Sequence, residues 1–332
     1  MIVSPIVPAF RRVFYVPLVL LMLAVCHPAE AQETVSGWQS GNRFMIHAGA
    51  GLPLGSFGQA YNLAADIDAT LARNRTTTTP LPVPAERTEI GNATLGFAAG
   101  ITDMYKITPN ISLMGTLEVM YNSFNATDYI NQYKAVINDP AFIQRALGTT
   151  TMTGGTNIDV RFTGDLTIAP RAYLNTALLL GGRYDIPVGT GLSIFATAQA
   201  GGVYSLYPED SRDNTLNSRT SANILGTMFS VEQSLTSKTK VDAASALAFA
   251  YKFGAGVLIV DRINIGVSYF GAQPQFSPLT GNATVTASAT TTIGTRTTTI
   301  PTMTATTNQN IATRNNLPIG ILQVSFGYVL GE

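Results

Sequence analysis

The chain has 332 residues, 45% of them hydrophobic and only 12% charged, with 20 basic and 20 acidic side chains and no net formal charge. Ordinary soluble domains carry about 25% charged residues. The even charge balance excludes the basic excess expected of an electrostatic nucleic-acid binder, while low charge alone suits a secreted β protein as well as a membrane protein.

At the N-terminus, Arg11 and Arg12 precede an apolar run from Val13 to Val25, and Pro28-Ala29-Glu30-Ala31-Gln32 places small residues at an A-x-A site. A charged start, a short apolar middle and small residues at the cut are the parts of a secretory signal peptide. The run is shorter than the roughly 20 apolar residues of a membrane helix. Cleavage is expected after Ala31, leaving a mature chain of residues 32–332. That cut would remove the only cysteine, Cys26, and leave 18 basic and 19 acidic residues, so neither a disulfide nor a cysteine metal cluster is expected. Leu23-Ala24-Val25-Cys26 is a rival signal. It resembles a bacterial lipoprotein site at which Cys26 is acylated, although Val25 departs from the usual small residue.

No later segment is a continuous apolar run of membrane-helix length, so a mature chain in a membrane would cross it as strands. Period-two alternation marks the first strand at Arg43–Leu52, with Phe44, Ile46, Ala48, Ala50 and Leu52 on one face. The following connection, about 55–90, begins with helical spacing (Tyr61, Ala64, Ala65, Ala69, Leu71) and turns threonine- and proline-rich from Thr76 to Pro84. Strands two and three are expected at Asn92–Tyr105 and Ile111–Phe124, joined by the turn Thr108-Pro109-Asn110. The next long connection, 125–170, holds two helix candidates, one starting at Pro140 and stopping at Gly148.

Strands four and five are expected at Arg171–Ile186 and Leu192–Tyr207, around the turn Val188-Gly189-Thr190. The connection 208–244 carries a helix candidate near Ala222–Leu235. Strands six and seven, Ser245–Val260 and Ile263–Ala272, meet at Asp261-Arg262. The connection 273–316 is low-complexity, its Thr-Ala-Ser alternation filling Gly281–Thr307, and it reads either as a flexible strand extension or as disordered. Pro318–Leu330 is the closing strand, with Leu322, Val324, Phe326 and Tyr328 on one face.

Long and short connections alternate without exception along these eight strands, so every long one leaves from the same end. Outer-membrane barrels have short periplasmic turns and long external loops. The expected fold is therefore all-β: an eight-stranded antiparallel up-and-down transmembrane β-barrel with four long external loops carrying short helices. Tyr105, Tyr121, Tyr184, Tyr204, Tyr251, Tyr269 and Tyr328 fall on the apolar face, as interfacial girdles require.

The strand pairs Asn92–Phe124, Arg171–Tyr207 and Ser245–Ala272, with their three tight turns, resemble the small outer-membrane barrels of the OmpA/OmpX type. Phe326 and Tyr328 resemble the C-terminal signal that the barrel-assembly machinery reads, although Val329-Leu330-Gly331-Glu332 follows where the family ends on an aromatic. The resemblance implies a bacterial outer-membrane location, with lipid and the assembly machinery as partners, and no chemistry.

An eight-stranded barrel is about wide enough for side chains to fill. The inward positions include a polar network of His47, Glu118, Arg183, Gln199, Lys252 and Gln323. Buried charges need partners, so Glu118 is expected to pair with Arg183 or Lys252. No catalytic residue, metal or cofactor is expected, since His47 is the only histidine after residue 31. The expected role is structural or surface-interacting, through loops that contact a surface protein or glycan and no nucleic acid. Passage of a small solute or hydrophobic ligand through the barrel is the alternative, and lipid modification at the outer leaflet the third reading.

Overall fold

The computed structural model describes residues 41–59, 91–137, 139, 158–169, 171–224, 226–276, 279–312 and 315–330. Met1–Gln39 and Ser40–Glu332 form two units, and the described residues all belong to the second. The expected cleavage site, Cys26, the helical spacing of Tyr61–Leu71 and the helix candidate Pro140–Gly148 lie outside the described residues.

Eight strands close into one antiparallel barrel: β1 (Asn42–Leu54), β2 (Ala93–Lys106), β3 (Ile111–Phe124), β5 (Ala172–Gly189), β6 (Leu192–Tyr207), β9 (Ala244–Ile259), β10 (Ile263–Ala272) and β15 (Ile319–Leu330). Each pairs with its neighbour in the chain, and β15 returns to β1 with Phe44 opposite Leu330 and Leu54 opposite Gly320. The expected strands fall within a few residues of these limits. At 10 to 18 residues they match or exceed the 9–11 that a tilted membrane strand needs.

Side chains alternate between a filled interior and an apolar exterior. Along β3 the even positions Ser112 to Phe124 point inward and are buried. Outward positions form a belt of exposed apolar groups, among them Leu95, Leu113, Leu180, Leu247, Phe249 and Phe326, with Leu247 80% exposed. Tyr105, Tyr184 and Tyr328 lie near the short-turn rim, and Tyr121, Tyr204 and Tyr269 near the other. Phe97 and Tyr121 stack with ring centroids 5.1 Å apart. Among the described residues no helix is long and apolar enough to cross a membrane.

The tight curvature leaves no room for a Cβ at certain inward positions. A methyl on Gly96 would overlap the Tyr121 carbonyl oxygen, and one on Gly181 the Ala198 carbonyl oxygen. The short turns are equally specific: Val260 and Asp261 both adopt positive φ (53° and 56°) in the three-residue connection between Ile259 and Ile263.

The long connections differ from expectation. The expected helix over Ala222–Leu235 is instead the tip of a hairpin, β7 (Asp210–Ile224) and β8 (Thr227–Val241), turning at Gly226 with φ 81°. Of the two readings of the threonine-rich stretch, strand extension or disorder, the structure has strands: a second hairpin, β12 (Leu279–Ile293) and β13 (Arg296–Ala312). With β4 (Ile158–Ile168) they make a five-stranded sheet in the order β13-β12-β8-β7-β4. A two-residue ladder, β11 (Gln275–Phe276) with β14 (Asn315–Asn316), joins the second hairpin to the barrel.

This sheet has two unlike faces. Direct pairing places Phe229, Leu235, Ala287, Ala289, Ile300 and Met303 on one side. Glu232, Thr236, Lys238 and the threonine pairs Thr284–Thr306 and Thr286–Thr304 lie on the other, with the hydroxyls of each pair 3.2 and 3.3 Å apart. Two helices are described: a single turn, α1 (Gly55–Gly58), and α2 (Ala126–Ile137). Asn125 caps α2 by accepting a 3.1 Å hydrogen bond from the Asp128 amide, and Asp128 and Lys134 complement the helix dipole. Tyr129 and the half-buried Ile130 and Tyr133 pack with Phe124, Leu166 and Ile168. Lys134 also reaches the Asp165 carboxylate at 3.1 Å and holds it below the usual carboxylate range; the pair is exposed and worth little.

Gly181→Val is expected to reduce the fraction of folded, heat-modifiable barrel on detergent gels sharply. Gly182→Val, where a Cβ meets nothing nearer than the Ser112 carbonyl oxygen at 3.7 Å, is expected to fold like the parent.

Candidate functional site

The barrel interior buries several charges together, and it is built in layers. All six polar residues expected inside are there: His47, Glu118, Arg183, Gln199, Lys252 and Gln323 are each buried. Strand alternation puts them inward, and the register decides which of them meet.

At mid-height Lys252 Nζ donates to both carboxylate oxygens of Glu118, at 2.8 Å each. Glu118 is 1% exposed and Lys252 8%. Of the two cations expected as candidates for Glu118, the structure selects Lys252. Arg183 lies lower and pairs with Asp185 on its own strand, Nε to Oδ1 at 2.8 Å, while its guanidinium stacks 4.0 Å above the Phe195 ring. His47 Nε2 sits 3.5 Å from Glu118 Oε1, and neither ring nitrogen makes a hydrogen bond. Gln199 Nε2 donates to Thr116 Oγ1 at 2.7 Å, which in turn lies 3.0 Å from Thr102 Oγ1. Ser268 Oγ donates to Gln323 Oε1 at 3.0 Å. The expected network is thus four separate sets: Glu118 with Lys252 and His47, Arg183 with Asp185, Gln199 with two threonines, and Gln323 with Ser268.

A cavity of about 50 Å³ adjoins these groups, bounded by His47, Thr116, Gln199 and Lys252. Below it Met45, Met104, Met114, Phe195, Leu258 and Val329 form a buried apolar layer. Above it Met120, Leu179, Val203, Phe270 and Ile321 begin a larger apolar cluster that ends at the long-connection rim in Phe57, Tyr173, Tyr207, Phe276 and Leu317. The rings interlock edge to face, with Tyr173 and Tyr207 centroids 5.8 Å apart and Tyr207 and Phe276 5.6 Å apart.

Sequence reading missed one buried charge cluster. At the rim Arg171 Nη1 meets Asp210 Oδ2 at 2.8 Å with both side chains inaccessible, and Arg212 Nε meets the same oxygen at 2.7 Å. The Arg171 guanidinium also lies 3.5 Å from the centre of the Phe124 ring, and Arg212 donates to the Tyr129 hydroxyl at 3.2 Å. The cluster ties β5, β7 and α2 together. Its members stand 39 or more positions apart or in a segment expected to be a loop, so no local pattern marked it. Phe326 and Tyr328 both project outward and are exposed, so neither takes part in the lumen network.

No protein-family model matches the sequence, and no curated protein matches it. Among solved structures, the comparison finds LpxR from Salmonella typhimurium, at 8% identity over 87% of this chain and 99% of that one, with a TM-score of 0.18. The comparison does not bear out the structural or surface-interaction role expected of the external loops, which is withdrawn. At this TM-score the likeness transfers no activity to the present chain.

Lys252→Ala would leave the Glu118 carboxylate buried beside His47 alone. Removing one member of a buried pair costs about 3–5 kcal/mol, whereas replacing both with apolar groups is often neutral. Lys252→Ala is therefore expected to lower the temperature at which the barrel loses its compact gel mobility, and Glu118→Leu/Lys252→Met to recover most of the loss.

Proposed function

We propose that the chain is a membrane-spanning barrel of a bacterial outer membrane, of the small OmpA/OmpX type, exported through a signal segment cut after Ala31. The observation that carries this reading is the belt of exposed apolar side chains around a closed sheet, flanked by tyrosines toward both rims. Such a belt is costly in water and fits hydrocarbon. Closure leaves no unpaired strand edge in the wall, the condition for strands to cross a membrane. The short turns then face the periplasm, the five-stranded sheet stands outside the cell, and Phe326 and Tyr328 on the lipid-facing side are the groups that the assembly machinery reads.

In this reading the barrel is shut to solutes and carries no catalysis. The apolar layers above and below the Glu118–Lys252 pair support closure. Ligand sites for small organic molecules are typically 300 Å³ or larger, while the cavity beside His47 is about 50 Å³ and too small for a lipid headgroup.

In cells, the protein is expected in the outer-membrane fraction with a mature N-terminus at Gln32, read by mass spectrometry. A species beginning at acylated Cys26 would overturn the cleavage site. The purified barrel is expected to give no large stable conductance in planar bilayers. His47→Ala is expected to leave the outer-leaflet lipid profile of the host strain unchanged; a lost or gained lipid species would reinstate an enzyme.

A further inference from the structure

The short-turn mouth of the barrel holds a cavity of about 340 Å³, lower than and distinct from the small one beside His47. Its cationic lining comes from three strands: Arg43 on β1, Lys106 at the end of β2 and Arg183 on β5. All three occupy inward positions. Two carboxylates also line it, Asp185 and Asp261. Asp185 is taken by Arg183, whose Nη2 lies 2.7 Å from Oδ1. Asp261 sits exposed at the outer edge, in the turn between β9 and β10. Arg43 and Lys106 are both half-buried and have no ion-pair partner among the described residues.

Arg43 and Lys106 thus share one recess, and neither is held there by an ion pair. Deeper in the barrel, Lys252 is matched by Glu118 and Arg183 by Asp185. Charges of one sign gathered in a recess, here cations, raise the local concentration of anions. The recess is also fixed in shape. Ile107 donates to the Ile111 carbonyl at 2.9 Å, and Asp185 donates to the Asn110 carbonyl at 2.8 Å, so the first turn is bound to β5. Val329 donates to the Arg262 carbonyl at 2.7 Å, which fixes the last turn against β15. The buried layer of Met104, Leu258 and Val329 floors it. The hydroxyls of Ser112 and Ser193 line the same walls as further donors.

We propose that this recess is a binding site for a phosphate group, free or carried on a small water-soluble molecule, held between Arg43 and Lys106 with Arg183 behind them. Phosphate fits because it brings close to two negative charges at neutral pH and several acceptor oxygens, against two unpaired cations. Arg43 supplies the fork that phosphate oxygens accept, and Lys106 the mobile point charge. That the site faces the periplasm rests on the membrane reading above; binding itself does not.

The test is titration of inorganic phosphate into the refolded full barrel, in a phosphate-free non-ionic detergent at low salt, by calorimetry. Saturable binding of one phosphate per chain is expected. Arg43→Gln/Lys106→Gln should weaken it at least about tenfold, since charge-assisted hydrogen bonds are each worth about 1.5–3 kcal/mol. Lys240→Gln, on the external sheet, should leave it unchanged. Heat-modifiability confirms that each variant is folded, and a single Lys106→Gln variant serves if the double variant is not. No saturable binding by the parent barrel, binding unaffected by the mouth variants, or equal weakening by Lys240→Gln would each overturn the site. Because the measurement is made in detergent, its outcome is independent of where the protein resides in the cell.

Discussion

The pairing of the first barrel strand with the last is the constraint on which the structure depends. An open eight-stranded sheet would present two rows of unpaired amides and carbonyls at its edges, which hydrocarbon cannot solvate. Joining Asn42–Leu54 to Ile319–Leu330 removes both edges at once. Alternation then gains its meaning, because each residue of the wall faces either outward or into the lumen. The close approach of neighbouring strands at Gly96 and Gly181 is a consequence of bending so few strands into a ring.

A closed ring of this size must also fill its centre, and the filling alternates between polar and apolar layers along the axis. Water-facing cations stand at the short-turn mouth and a methionine and phenylalanine layer above them. One ion pair sits at mid-height under a thick aliphatic and aromatic cap. Placing Glu118 and Lys252 in this interior costs desolvation of both, which their bidentate contact offsets. The pair joins β3 to β9 across the lumen, so it acts as a strut between strands that are not neighbours in the wall. His47 extends it to β1.

The five-stranded external sheet continues the barrel rather than merely decorating it. Val241, at the end of β8, belongs to the same buried cluster as Tyr207 and Phe276 at the top of the lumen. Asp210, directly opposite Val241, is buried on the same side and receives both Arg171 and Arg212. The apolar face of the sheet is therefore continuous with the interior of the barrel, and α2 covers its part near β4. Farther from the barrel the apolar face is open as well, with Leu235, Ile300 and Met303 exposed.

The sequence by itself determined the eight wall strands, their turns and the direction of nearly every side chain, because alternation in a barrel is a local property read residue by residue. It determined the members of the lumen network for the same reason. In the long connections, the Thr-Ala-Ser alternation of Gly281–Thr307 left a strand extension and disorder both open; Val285, Ala287 and Ala289 share one face of the strand that forms. Ala222–Leu235 suggested a helix because the glycine turn inside it was overlooked. Only the tertiary structure decided the partners. Glu118 meets Lys252 rather than Arg183, and Arg171 meets Asp210, because the stagger between strands and the closure of the ring set the height of each side chain along the axis. Those quantities depend on all eight strands together and are written in no single one.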